Sequence, residues 1–230
     1  DMELAWMDHQ LGLLFDHLEE SGALKDTVIV VTADHGQGLS DGQRLHGWSR
    51  HRLIYQWSIQ IPLLIAGPKI PSGEVVNALA RATDIAPTLL ELTDVAPHGP
   101  MDGASLMPLI RGERVSPRIA YADALNLQDS HAPLPRLPED CRDDLYAVFD
   151  GRYKLIHHRV NPAQSELYDI NADPEEQQNL YGSSPEIAAR LRAFLTRDDA
   201  LSLQRVSPGG DGPDRGALDH LGYTGYDSDD

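Results

Sequence analysis

The first stretch of the chain alternates between a helical and a strand-like pattern of apolar residues. Between Glu3 and Glu20 the apolar residues recur at three- and four-residue steps with acidic residues between them, which predicts an amphipathic helix. The run from Thr27 to Thr32 consists only of β-branched residues, which is typical of a strand buried on both faces in a parallel sheet covered by helices. Helix, short loop, buried strand and polar loop is the order of elements in an α/β domain.

Further apolar runs continue this α/β pattern. Thr83 and Asp84 precede an apolar helical pattern that starts at Ile85, and a hydroxyl and a carboxylate in that place predict a capped helix start. The other predicted elements are a buried strand at Pro62–Ala66, a third strand at Val75–Leu79 and a short helix at Ser105–Arg111. We therefore assign residues 1–115 to the α/β class, as part of a large, mostly parallel sheet flanked by helices.

The character of the sequence changes after about residue 115, where prolines punctuate a polar stretch. Leu145–Phe149 and Tyr153–His157 are apolar runs joined by an Asp-Gly turn, which predicts a hairpin. A strand at Glu166–Ile170 and a helix at Pro185–Leu195 are also predicted. Residues 116–200 are thus predicted to form a smaller C-terminal α+β subdomain, and the Gly-, Asp- and Pro-rich residues 201–230 a disordered tail.

Composition excludes some classes of protein. The formal net charge of −17 argues against a nucleic-acid partner, because a phosphate backbone would be repelled by the average surface. No apolar stretch approaches the roughly 20 residues that a membrane span requires, so no membrane segment is predicted. The single cysteine, Cys141, excludes an internal disulfide, and its acidic neighbours oppose thiolate formation, so we interpret it as an ordinary free cysteine. Localisation and oligomeric state stay open.

The polar loop after the first buried strand carries the candidate chemistry. Asp34 and His35 lie beyond the carboxyl end of that strand, where α/β sheets bind their ligands. A carboxylate beside an imidazole offers an oxygen and a nitrogen ligand to a divalent metal, and Gly36 permits a tight turn. His46 and His51 follow as groups that could bind an anionic ester or protonate its leaving group. From these residues alone, a turn with exposed histidines is the favoured alternative.

Five segments in a fixed order favour a functional site over a turn with exposed histidines. They are Thr27–Pro62, Ala82–Leu90, Met101–Leu106, Arg152–Ile156 and the Leu-Tyr-Asp and Asp-Pro-Glu-Glu stretch of Glu166–Leu180. In this order they resemble the sulfatase family of the alkaline-phosphatase-like superfamily, and an ordered set is far more specific than any single motif. The resemblance implies a sulfuric ester hydrolase that acts on an anionic small-molecule or carbohydrate sulfate ester.

The resemblance also implies a role for each residue of the loop. Asp34 and His35 match the family's second pair of metal ligands, which would hold Ca²⁺, with Mn²⁺ or Mg²⁺ as alternatives. His46 matches the histidine that contacts the sulfate and its bridging oxygen. His51 falls where many members carry lysine, and it would neutralise sulfate charge or assist the leaving group. The loop between Gly38 and His46 is a few residues longer than the family pattern.

Two parts of the family pattern do not occur in the chain: the Cys or Ser nucleophile followed by x-Pro-x-Arg, and the first acidic pair of metal ligands. We expect both upstream of residue 1, so the full-length protein is predicted to be an enzyme and the isolated chain to be inactive. The alternatives are a phosphodiesterase, phosphonate monoester hydrolase or phosphoethanolamine transferase of the same superfamily, or a non-catalytic sulfatase-like module. The missing nucleophile would discriminate among the catalytic alternatives.

Overall fold

The computed structural model describes residues 2–36, 54–124 and 143–197, with side chains to residue 195. The described residues up to Ala193 belong to one compact unit. The helices are α1 (Met2–Glu20), α2 (Gln56–Ile59), α3 (Ile85–Leu92), α4 (Met107–Ile110) and α5 (Pro185–Arg197), and the strands are β1 (Ile29–Thr32), β2 (Leu63–Ala66), β3 (Ala120–Ala124), β4 (Leu145–Phe149), β5 (Tyr153–His158) and β6 (Glu166–Asp169). No helix in the described part of the chain is long and apolar enough to span a membrane.

Strands β3 to β6 form an antiparallel sheet in which each strand pairs with the next along the chain. In the β4–β5 hairpin, Oδ1 of Asp150 accepts the backbone N–H of Arg152 and of Tyr153 at 2.9 and 2.7 Å. Gly151 lies in that turn with a φ of 94°, which a residue with a side chain rarely adopts. The predicted hairpin, the strand at Glu166 and the helix that begins at Pro185 are confirmed.

Both faces of this sheet are buried across β4, β5 and β6, whereas β3 alternates between half-buried and exposed residues. The register pairs Leu155 with Val148 and with Leu167, and these three side chains have exposed fractions of 0–1%. The opposite face carries Leu145, Ala147, Ile156 and Tyr168, which pack with Ile54 in one apolar cluster. Because side chains alternate along a strand, Lys154, His158 and Glu166 lie on this second face as well. These ionisable side chains therefore lie on a buried face, where they need hydrogen-bonding or oppositely charged partners.

Strands β1 and β2 form a separate antiparallel pair, with Ile29 opposite Ala66 and Thr32 opposite Leu63. The large, mostly parallel sheet predicted from the sequence is not confirmed, because both sheets of the described residues are antiparallel. The β-branched run of β1 indicated burial and gave no information on strand direction. That burial is itself incomplete in this chain, since the strand is half-buried and Thr32 is exposed.

Two apolar segments are more exposed than their pattern suggested. Helix α1 is confirmed, but none of its residues is buried, and Trp6 and Leu4 are 67% and 59% exposed. The strand predicted at Val75–Leu79 is wrong: these residues adopt no strand, and Val75 is 78% exposed. Strand residues need a hydrogen-bonding neighbour as well as β-propensity, and in the described residues this segment has none.

A buried carboxylate organises the start of α3. The helix begins at Ile85 as predicted, but the Asp84 side chain makes no capping bond to it. Instead its Oδ1 accepts from Arg81 and its Oδ2 from Arg118, at 2.7 and 2.8 Å, and Oδ1 also accepts the N–H of Ala104 at 2.9 Å. Asp84 is fully buried and thereby joins three stretches of chain. The predicted boundary between residues 115 and 116 stays a prediction, and the predicted tail of residues 201–230 lies outside the described residues.

Candidate functional site

Asp34 and His35 lie immediately after β1, at the strand end where the sequence placed a site. Their side chains are 69% and 55% exposed. Oδ1 of Asp34 accepts the backbone N–H of His35 at 2.9 Å, and Nδ1 of His35 lies 2.7 Å from the carbonyl oxygen of Gly36. The second ring nitrogen, Nε2, lies 3.7 Å from Oδ2 of Asp34. The two side chains therefore present a nitrogen and an oxygen side by side.

This donor pair fits part of a metal site. When Nδ1 of His35 donates to the Gly36 carbonyl, Nε2 becomes the acceptor atom of the ring, and such backbone contacts commonly orient metal-binding histidines. An imidazole nitrogen and a carboxylate oxygen suit divalent ions such as Mn²⁺, and the oxygen also suits Ca²⁺ and Mg²⁺. In residues 2–36, 54–124 and 143–197 there is no group of three His, Cys, Asp or Glu side chains that could hold a metal. Within the described residues, Asp34 and His35 therefore offer two candidate donor atoms, fewer than a complete metal site needs.

Gly36 attaches this loop to helix α2. Its N–H donates to the carbonyl oxygen of Ser58 at 2.7 Å. A Cβ at this position would lie 2.2 Å from the carbonyl oxygen of Trp57 and 3.2 Å from that of Gln60. Only glycine fits so close to the helix, and the position of Asp34 and His35 therefore depends on the position of α2.

Helix α2 in turn packs on the C-terminal sheet. Ile54 is buried in the apolar cluster, and Tyr55, Trp57 and Ile59 pack against it. The hydroxyl of Tyr55 donates to both oxygens of Glu166 at 2.8 and 3.0 Å. The rings of Tyr55 and Trp57 stack with centroids 6.3 Å apart. The sheet thus forms the base on which the loop and α2 rest.

Glu166 is the centre of a buried polar cluster on that sheet face. Its carboxylate also accepts the Tyr168 hydroxyl, and Nε2 of His158 lies 3.6 Å from its Oε1. Burial acts to raise the pKa of the Glu166 carboxyl, but the surrounding donors outweigh it and the pKa lies below its ordinary value. The same burial and the neighbouring Glu166 charge raise the pKa of Tyr55, so its phenol stays protonated as a donor.

A second buried cluster holds the start of α2. Glu176 accepts the backbone N–H of Gln56 through Oε2 at 2.6 Å and the Lys154 ammonium through Oε1 at 2.7 Å. Lys154 also donates to Oε1 of Gln56 at 3.2 Å. Burial lowers the pKa of Lys154 to about 8 and raises that of Glu176, although each partner's charge acts in the opposite direction.

Comparison with known proteins decides the family. Residues 44–199 match the family described as N-sulphoglucosamine sulphohydrolase, C-terminal. This chain belongs to the sulfatase family. It is 31% identical over 194 residues to an N-acetylglucosamine-6-O-sulfatase of Bacteroides thetaiotaomicron, in an alignment that covers 82% of this chain and 32% of the relative. The chain thus spans about a third of the length of this curated relative.

Solved structures share the fold of this chain. One, of a protein in complex with its substrate D-glucosamine-2-N,6-O-disulfate, is 30% identical with a TM-score of 0.68 and covers 84% of this chain and 38% of that chain. Another, a phosphonate monoester hydrolase of Agrobacterium radiobacter, is 25% identical with a TM-score of 0.61 and covers 86% of this chain and 40% of that chain. The mixed α/β arrangement of this chain is therefore shared with these enzymes.

Of the four sulfatase residues predicted from the sequence, the structure brings two together. Asp34 and His35 form the pair described above, and their role as metal ligands stays a prediction. His46 and His51 lie outside the described residues, as does Cys141. Of the described residues on either side of the two histidines, Gly36 donates to the Ser58 carbonyl of α2, and Ile54 is buried in the apolar cluster.

The polar residues that support α2 could not be predicted from the sequence. Lys154 and Glu176 stand in segments that resemble the family, but the sequence predicts no individual role for either residue. The alternation of β5 is the one signal that could have found Lys154, because it places this lysine on the same face as the apolar Ile156. For Glu176 no local pattern exists, since its partner Gln56 lies 120 residues away.

Proposed function

We propose that this chain is the C-terminal part of a longer, metal-dependent sulfatase that hydrolyses a carbohydrate sulfate ester. The observation that carries the proposal is the pairing of Nε2 of His35 with Oδ2 of Asp34 at 3.7 Å, at the carboxyl end of β1, in a chain of the sulfatase family. The similarity to the N-acetylglucosamine-6-O-sulfatase and to the structure in complex with D-glucosamine-2-N,6-O-disulfate supports an amino-sugar sulfate as the substrate class.

In this proposal Asp34 and His35 hold one side of a divalent ion, Ca²⁺ in the first place and Mn²⁺ or Mg²⁺ as alternatives. Such an ion, when bound, would supply Lewis acidity to the ester oxygens. His46 contacts the sulfate and its bridging oxygen, and His51 neutralises sulfate charge or assists the leaving group. No nucleic-acid partner is proposed, because the net charge of −17 would oppose it.

The rest of the longer polypeptide, here called the complete protein, would supply the nucleophile and the remaining metal ligands. It would also supply the parallel neighbours of β1 that make up the large sheet. The exposed apolar face of α1 and the incomplete burial of β1 support this part of the proposal. It follows that the purified 230-residue chain should not hydrolyse sulfate esters.

The proposal is tested by comparing the complete wild-type protein with its Asp34→Ala variant on a 6-O-sulfated glucosamine, with the divalent ion varied. Turnover that requires the ion and is abolished in the variant is the expected result. Asp26→Ala is the matched control, because Asp26 is an exposed carboxylate in the short turn that precedes β1, away from the loop of Asp34 and His35. Normal turnover by Asp34→Ala would contradict the proposal.

A phosphonate monoester hydrolase is the second candidate, favoured by the likeness to the Agrobacterium radiobacter enzyme. The same donor pair would serve an in-line displacement at phosphorus. Parallel assays of the complete protein on aryl sulfates and on phosphonate monoesters distinguish the two, and the higher kcat/KM identifies the natural class. The nucleophile in the preceding residues gives an independent check.

A further inference from the structure

Helix α2 is too short to hold its own position. It consists of four residues, and a single turn gains too few hydrogen bonds to offset the entropy of forming it. Its N-cap residue, Tyr55, makes no side-chain capping bond, and the N–H of the first helical residue, Gln56, has no acceptor within the helix and needs one from another part of the chain. The conformation of α2 must therefore be fixed by tertiary contacts.

Glu176 supplies that contact at the start of the helix. Its Oε2 accepts the Gln56 N–H at 2.6 Å while its Oε1 accepts from the Lys154 ammonium at 2.7 Å, so both oxygens are used. The pair is almost completely buried, with exposed fractions of 4% for Glu176 and 0% for Lys154. Lys154 also reaches the side chain of Gln56 itself.

The backbone of Glu176 gives an independent indication that its placement matters. Its φ is 55°, in the left-handed region that disfavours any residue with a Cβ. Strained backbone of this kind persists where the surrounding contacts determine it, and it is enriched at functional sites. Here the strained position directs the carboxylate at the first N–H of α2.

At the other end of the helix lies the loop of Asp34 and His35. The Ser58 carbonyl accepts the N–H of Gly36, and the Trp57 carbonyl leaves no room for a side chain there. A change in the position of α2 would therefore move the backbone that directly follows the donor pair. This contact chain runs from the sheet to the candidate metal site without touching any ligand.

We infer that Glu176, held by Lys154, is a positioning residue for the Asp34–His35 pair: its carboxylate caps α2 at Gln56 and so fixes the carbonyls against which Gly36 is placed. The inference deepens the proposed function and, for its effect on metal use, rests on it. A role in core stability alone would predict that any neutral, well-packed replacement of the ion pair preserves the loop.

Two double variants of the complete protein separate these roles. Lys154→Met with Glu176→Leu removes both charges and leaves no acceptor for the Gln56 N–H. Lys154→Met with Glu176→Gln also removes both charges, but the amide oxygen can still accept that N–H and the amide nitrogen can replace the ammonium at the Gln56 side chain. Replacing a buried ion pair by neutral residues of similar volume is often tolerated, so thermal midpoints confirm that both variants fold.

The first readout is hydrogen exchange at the Gly36 amide, which does not depend on any metal. The second is the concentration of Ca²⁺, and separately of Mn²⁺, that gives half-maximal turnover. We expect the leucine variant to exchange faster at Gly36 and to need about 10-fold more metal, as is typical when a residue that orients a ligand is lost. The glutamine variant should stay close to wild type in both.

Equal Gly36 exchange in the two variants would overturn the inference. Faster exchange with an unchanged metal requirement would overturn it as well, because the loop would then be supported without consequence for the site. If the complete wild-type protein shows no metal-dependent turnover, the proposed function fails, and the exchange at Gly36 still decides whether Glu176 positions the loop.

Discussion

The backbone N–H of Gly36 donates to the carbonyl oxygen of Ser58 at 2.7 Å, and this bond joins the loop of the candidate metal ligands to helix α2. The carbonyl oxygen of Trp57 lies on the same side, 2.2 Å from where a Cβ of residue 36 would be. The contact is made to backbone atoms, which have little freedom to move aside. The short distance between β1 and α2 thus requires the glycine of the Asp-His-Gly motif.

Gly36→Ala should therefore displace either the loop or α2. We expect a loss of stability of about 1 to 3 kcal/mol, the usual cost of forcing an extra methyl group into a packed site. In the complete protein we also expect half-maximal turnover to need a higher concentration of the divalent ion. Urea unfolding and metal titration of turnover measure the two effects.

The matched control is Gly12→Ala in helix α1, where a Cβ would have no neighbour within 4 Å. Alanine is a better helix former than glycine, so this variant should gain up to about 1 kcal/mol and leave the metal requirement unchanged. If Gly36→Ala behaved like Gly12→Ala, the close contact with Trp57 would not exist in solution.

Asp84→Asn should be strongly destabilising at neutral pH. The change leaves Arg81 and Arg118 without their buried carboxylate, and breaking such a pair typically costs about 3 kcal/mol or more. Asp94→Asn is the control, because Asp94 pairs with Lys69 at the surface, where an ion pair contributes under about 1 kcal/mol. The free energies of unfolding in urea provide the comparison.

The difference in the free energy of unfolding between wild type and Asp84→Asn should become smaller as the pH falls into the acid range. Burial acts to raise the pKa of Asp84, but the Arg81 hydrogen bond, the Ala104 N–H and the arginine charges together lower it below its ordinary 3.8. The stabilisation is therefore present above pH 3.8 and is lost as the pH falls through the lower, folded-state pKa. A difference between wild type and Asp84→Asn that stayed constant into this acid range would contradict the assignment.

Local signals explain which parts of the fold could be predicted. The hairpin from Leu145 to His158 combines alternating apolar residues with an Asp-Gly turn, and both lie within a short stretch of sequence. The start of α3 at Ile85 was predictable for the same reason. The direction of β1 relative to its neighbour could not be predicted, because its β-branched run indicates burial but carries no information on the neighbouring strand.

In the candidate site, too, only the parts with a local signal in the sequence could be predicted. The place of Asp34 after β1 could be predicted from the strand pattern and the family resemblance, and the structure agrees. Helix α2 could not, because four residues carry no periodicity and their conformation depends on Glu166 and Glu176, which lie more than 100 residues further along the chain. Long-range polar contacts of this kind leave no local mark on the sequence.

His51→Lys should change the pH dependence of turnover in the complete protein. The imidazole of an unperturbed histidine loses its charge at about pH 6.5, whereas that of a lysine ammonium persists to about pH 10. If His51 neutralises sulfate charge, wild-type activity should decline above neutrality and the lysine variant should retain it. His9→Lys, an exposed change in α1, is the control. Identical pH profiles for wild type and His51→Lys would exclude a charge-neutralising role.

The buried pair of Lys154 and Glu176 should make stability rise with pH in the alkaline range. Burial lowers the pKa of Lys154 from 10.5 to about 8, so between these values the unfolded chain binds more protons than the folded one. The free energy of unfolding should then increase by on the order of 1 to 3 kcal/mol from about pH 8 to pH 10.5. The control is the variant Lys154→Met with Glu176→Gln, which lacks this titration. It keeps Tyr55, so the alkaline titration of Tyr55 cancels in the comparison.

Urea unfolding of both proteins across this range gives the two curves of unfolding free energy against pH. Parallel curves would show that Lys154 is not held in the low-dielectric environment that the structure places around it.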